Sequence, residues 1–246
     1  MIRIREAGDI NWVNLYRVAY QGAELEIDAA LLAKVDAART DFLALIERGV
    51  PCYGVTTGLG KLAEQTLDEA AREQMAQHIL LGRAAAIGPP FPQPVARAML
   101  LIRLVNFLTG LDGVSSKLCC YLVDRLNDDF TPWIPSLGHG MAADTTANSH
   151  AFQTLIGAGS VFGPDGERQT ARAALEQRGA AVLQLSDKEG IALINGVCAA
   201  PALAMHAFYQ LDELLSLANL VAAVSLEGLA APKDSLDAGL GKLSSE

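Results

Sequence analysis

The segment from Gly190 to Leu211, GIALINGVCAAPALAMHAFYQL, contains no Asp, Glu, Lys or Arg. A chain with such a stretch must bury it against other helices or pass it through lipid, since about 20 apolar residues cross a bilayer. Asn195, Gly196, Pro201, His206 and Gln210 punctuate this run, and charged segments flank it closely. That pattern points to a helix buried in a large α-helical assembly, and no membrane partner is expected.

The rest of the chain reads mostly as helix. Asp28 to Gly49 has an acidic start, apolar residues at three-four spacing and a glycine stop. Thr66 and Glu69 have the spacing of a capping box ahead of an amphipathic helix. A third helix starts near Pro94 and ends before Gly110, with Arg97 and Arg103 expected on its more polar face. VSSKLCCYLVDRLNDD reads as a fourth, leading into a loop with Pro132 and Pro135. A further helix follows near ANSHAFQTLIGAG, and the Pro164-Asp165-Gly166 turn predicts a small hairpin. Two long apolar helices are expected near Gly190–Leu211 and Leu214–Leu229. The fold class is mainly α, read as one region over residues 1–246.

Composition narrows the function. Half the chain is hydrophobic (51%), only 19% is charged, and the net charge is −9 without a basic run, which argues against nucleic acid. The start MIRIREAGDINW has charge where a signal peptide needs an apolar core, so none is expected. Cys52, Cys119, Cys120 and Cys198 have no zinc spacing, and adjacent Cys119 and Cys120 make a poor disulfide. A reduced, cytoplasmic protein without a metal site is expected. So much alanine and leucine in helices favours association into an oligomer.

Chemistry is concentrated in two stretches. YGVTTGLG, Tyr53 to Gly60, resembles the YGVNTGFG signature of the aromatic amino-acid ammonia-lyase family, with Thr56 for Asn and Leu59 for Phe. LLGRAAAIG, IRLVNFLTGLDGVS, PWIPSLGHG and LSDKEGIALINGV extend the resemblance in family order along nearly the whole chain. It implies the amino-terminal half of the ammonia-lyase helical fold. In that family an Ala-Ser-Gly tripeptide cyclises into methylidene-imidazolone, an electrophile needing no bound cofactor. Here the corresponding positions, followed by the family aspartate, are Met141, Ala142, Ala143 and Asp144. Ala142 has no hydroxyl to eliminate, so no methylidene-imidazolone is expected, and no other cofactor.

The resemblance also implies roles elsewhere. Tyr53 matches the family's general base, Gly60 a substrate-contacting glycine, and Asn195 the asparagine beside electrophile and substrate. Arg83 stands where relatives carry a histidine that sets substrate class; a guanidinium there would fork onto a carboxylate or phosphate. Each has a plainer reading: Tyr53 as a half-buried tyrosine, Asn195 as a hydrogen-bonded core amide, Arg83 as a structural cation. His139, inside the altered loop, is a candidate acid–base group near neutral pH, although its default, like that of His150, is packing. Asp144 is expected to cap the helix that follows. Thr145 and Thr146 are candidate polar contacts or helix-start residues.

Family chains continue about as long again and supply further site residues from their second half and from neighbouring subunits. Three readings follow. The chain is a lyase-like enzyme without the electrophile, catalysing elimination, isomerisation or conjugate addition on a small acid. Or it is one half of a divided protein, completed by a second ammonia-lyase-like chain or by copies of itself. Or it is a non-catalytic binding or regulatory subunit.

Overall fold

The computed structural model describes residues 1–140, 142–232 and 234–236. Two compact units divide the chain, Met1–Leu203 and the residues from Ala204 onward.

The first unit is built around α4 (Gln93–Leu108), with Pro94 in its first turn and eleven of its sixteen residues buried. Packed on it are α1 (Trp12–Gln21), α2 (Ala29–Glu47) and α5 (Ser116–Asn127). Short polar side chains start these helices: Asn11 accepts from the Asn14 N–H, Asp28 from Ala30 and Ser115 from Leu118. Arg97 and Arg103 are not on a polar face; both are buried, at 6% and 2% exposure. Arg97 tolerates this because its guanidinium donates to the Val18 and Leu126 carbonyls and pairs with Asp129.

α3 (Glu69–His78) starts two residues later than a Thr66 capping box requires. Asp68 is the cap, accepting the Ala71 N–H at 2.8 Å, and Thr66 instead bridges to Thr57. Three small strand pairs complete the unit. β1 (Ile2–Ile4) runs parallel to β2 (Leu25–Ile27), and β3 (Ile87–Pro90) antiparallel to β4 (Pro135–Leu137). The expected hairpin is β5 (Ser160–Phe162) with β6 (Arg168–Thr170), paired Ser160 to Thr170. α7 (Ala171–Gln177) follows, capped by Thr170.

Two helices bring the site together. α6 (Thr145–Phe152) and α8 (Glu189–Ile194) are buried at every residue and pack on each other. The apolar run is divided differently from the expectation: α8 is short, the chain breaks at Asn195, and one helix of 30 residues, α9 (Ala199–Gly228), follows. The break lies where Asn195 leaves helical geometry and Gly196 takes φ 96°. From Ala204 onward α9 leaves Phe208, Leu211, Leu214, Leu217 and Leu220 exposed, so burial within this chain covers only the first part of the run. By length and composition, the helical stretch Glu189–Gly228 is long and apolar enough to cross a membrane.

Candidate functional site

The loop carrying Tyr53 is a tight knot of backbone. The Cys52 carbonyl accepts N–H groups from Val55, Thr56 and Thr57, while Thr56 Oγ1 accepts the Cys52 N–H at 2.7 Å. Gly54 sits at φ 70°, and a Cβ there would come within 3.0 Å of the Ile191 side chain. Only glycine allows the loop to lie this close to α8. Tyr53 is therefore held outward, 56% exposed, and its hydroxyl accepts the Gly60 N–H at 3.0 Å.

A small cavity of about 170 Å³ lies beside this loop, lined by Tyr53, Leu59, Arg83, Ala142, Thr145, Ile191, Ile194 and Asn195. Tyr53, Arg83, Asn195 and Ala142 thus come together from four separate segments. Arg83 ends a short turn (Leu81–Arg83); its Nη1 reaches the Ile79 carbonyl at 3.5 Å, and no carboxylate pairs with it among the described residues. A cation facing a cavity without a carboxylate partner suits an anionic guest. Asn195 follows the last turn of α8 in extended geometry, its residue exposed.

The other candidates fall outside the cavity lining. Gly60, at φ 56°, contributes its N–H to Tyr53, and its Cα faces open space. His139 stacks on Phe91 at 5.2 Å, with Nε2 2.6 Å from the Pro135 carbonyl, so its ring belongs to the β4 region. Met141 lies outside the described residues. His150 packs below: its Nε2 accepts the Ala86 N–H at 3.0 Å, and burial pushes its pKa down to about 4.

The loop Ala142–Asp144 is unusual in its backbone. Ala143 (φ 56°) and Asp144 (φ 51°) are consecutive non-glycine residues in left-handed geometry, which costs on the order of 1–3 kcal/mol each. Tertiary contacts hold it. Thr145 Oγ1 donates to the Ala142 carbonyl, and Asn148 Nδ2 donates to the carbonyls of Ala143, Ile194 and Gly196. Asp144 does not cap α6 with its side chain. Its carboxylate instead accepts the N–H groups of Ala199 and Ala200, capping α9, because left-handed backbone swings the side chain away from α6.

Sequence reading missed Asn148, which ties the loop to the Asn195–Gly196 turn. Its signal was a polar residue three positions after Thr145, on the same helix face in a buried segment. A larger groove of about 920 Å³ beside the hairpin involves Arg97, Arg178, Asp128 and Asp129, whose charges already pair with one another.

The aromatic amino acid lyase family model matches residues 10–245. The histidine ammonia-lyase of Streptomyces griseus is 36% identical over 213 residues, 86% of this chain and 41% of that protein. The histidine ammonia-lyase of Bacillus velezensis is 31% identical over 94% of this chain and 45% of its own. Among solved structures, the ergothioneine-degrading enzyme ergothionase of Treponema denticola, in complex with desmethyl-ergothioneine sulfonic acid, superposes with a TM-score of 0.90. It is 26% identical, over 99% of this chain and 49% of that one. Tyrosine aminomutase of Streptomyces globisporus gives a TM-score of 0.75 at 32% identity, over 80% and 37%. The chain spans about half the length of the relatives it matches. On this evidence the chain belongs to the aromatic amino acid lyase family.

Proposed function

We propose that this chain carries the base-bearing part of a lyase-like site acting on a small acid without methylidene-imidazolone. The observation that carries this is the convergence of Tyr53, Arg83 and Asn195 on one cavity whose loop wall is Ala142. The residues do not fit the family's electrophile: methyl side chains stand at 142 and 143, with no hydroxyl to lose.

In this reading Arg83 forks onto the substrate's carboxylate and orients it, and Asn195 hydrogen-bonds a polar group beside the reacting carbon. Tyr53 is the general base for the proton on the carbon next to the activating group, its oxygen held in place by the Gly60 N–H. The C–H electron pair becomes the new double bond, and the leaving group departs with its bonding pair. Without an electrophile to draw electrons from the amine, the substrate must offer a better leaving group than ammonia or a more acidic proton. Isomerisation and conjugate addition use the same proton transfer. The sulfonic acid ligand of the Treponema denticola relative is likewise an anion.

A cavity of about 170 Å³ is below the usual 300–1,000 Å³ of ligand sites. With Tyr53 56% exposed, this suits a site closed by other polypeptide: a second ammonia-lyase-like chain or further copies of this one. Four free cysteines fit a reducing cytoplasmic setting. The test is turnover of small β-substituted acids by the assembled protein. Tyr53→Phe is expected to lower kcat at least about 1,000-fold and Arg83→Met to raise KM about 10–100-fold. Turnover unchanged in Tyr53→Phe removes the base assignment. Anion binding that depends on Arg83, with no product from any substrate, favours a non-catalytic binding or regulatory subunit.

A further inference from the structure

Behind the site, at the α4–α6 junction, lies a cation that nothing in the mechanism uses. Arg103 is 2% exposed, forms no ion pair among the described residues, and its Nε and Nη2 lack hydrogen-bond partners. Arg97, one helical turn and a half earlier, shows how this protein ordinarily treats a buried guanidinium: every nitrogen is bonded. The rings of Phe107 and Phe152 each stand 5.8 Å from Arg103 Cζ. Two such contacts contribute about 0.5–2 kcal/mol each, short of the several kcal/mol that an uncompensated buried charge costs. Cys198 lies against it, but burial pushes that thiol up to about 11 and keeps it neutral. Asp144, whose Oδ2 accepts the N–H groups of Ala199 and Ala200, forms no ion pair with Arg103.

Two more buried polar atoms are unpartnered nearby: Asn148 Oδ1 and Ser149 Oγ. Both residues share a face of α6 with Phe152, three and four positions away. Asn148 Nδ2 bonds the Gly196 carbonyl, and a Cβ at Gly196 would come within 2.8 Å of Arg103 Nη1. The guanidinium, the Asn148 amide and the Gly196 turn therefore meet in one place, and Ser149 is the next residue of α6.

We propose that Arg103 and Ser149 hold a small monovalent anion, of halide or formate size, behind the Asn195–Gly196 turn. Nε–H and Nη2–H donate to it, with the Ser149 hydroxyl as third donor. The close approach of Gly196 and the 2% exposure limit the guest to a few atoms. Binding would brace the turn that presents Asn195, independently of whether Tyr53 is a base.

The test exchanges gluconate for bromide at constant ionic strength while following thermal unfolding of the full chain. The expected result is a saturable rise in Tm, as mass action on the folded state requires. Arg103→Met should abolish it and Ser149→Ala should weaken the apparent Kd about tenfold. In crystals soaked in bromide, an anomalous peak is expected within hydrogen-bond reach of the Arg103 guanidinium, a result that needs no variant to fold. A missing peak, water on Nε and Nη2, or a bromide effect that survives in Arg103→Met overturns the proposal.

Discussion

His150 shows how a single buried group sets the pH response. Its Nε2 accepts the Ala86 N–H at a ring nitrogen that must be unprotonated, and burial, with His139 and Arg168 nearby, pushes its pKa from 6.5 to about 4. The folded state resists protonation while the unfolded chain accepts it. This contribution to stability is therefore complete above pH 6.5 and is lost as pH falls toward 4, at up to about 1.4 kcal/mol per unit. Urea unfolding between pH 7 and 4.5 should show this slope, and His150→Gln should flatten it. Equal slopes in both proteins would remove His150 as the cause. Nothing in the letters around His150 announces this; the partner is 64 residues away.

Among elements, the connection between the Ala142–Asp144 loop and α9 matters most. Asp144 accepts N–H groups from Ala199 and Ala200 at 2.8 and 3.1 Å, satisfying two of the donors that begin a 30-residue helix. Asp144→Ala is expected to cost about 1–2 kcal/mol. Hydrogen exchange should speed up at the start of α9 and spare α6, which the side chain does not cap. Faster exchange in α6 instead would restore the cap that sequence suggests. A carboxylate just before a helical segment ordinarily caps that segment; two left-handed residues redirected this one.

For the whole molecule, α9 after Ala204 is apolar and exposed on several sides. A helix hydrophobic all round is stable in water only when covered. Replacing Leu214 and Leu217, 62% and 55% exposed, by Glu should leave helix content intact by circular dichroism. Covering one leucine contributes about 1.5–3 kcal/mol, so the double variant should weaken assembly about a hundredfold or more in native mass spectrometry. Unchanged stoichiometry would place the interface elsewhere. The same experiment distinguishes a second chain from copies of this one.

α2, α4 and α5 were legible because burial of one face imposes a 3.6-residue period, and Asp28 caps where a short acceptor must, whereas α1 was not read from the sequence. Tyr53, Arg83, Asn195 and Ala142 were legible through motif resemblance, and their residue types stated what chemistry was available. Their meeting at one cavity was not, since it depends on α6 and α8 packing together and on Gly54 letting the loop close against Ile191. Nor was the fate of the charges: Arg97 and Arg103 share one helix, yet only tertiary neighbours bond the first and leave the second without an ion pair among the described residues. Periodicity is a local property that the chain carries in its letters, whereas electrostatic compensation at a buried atom belongs to whatever the fold brings beside it.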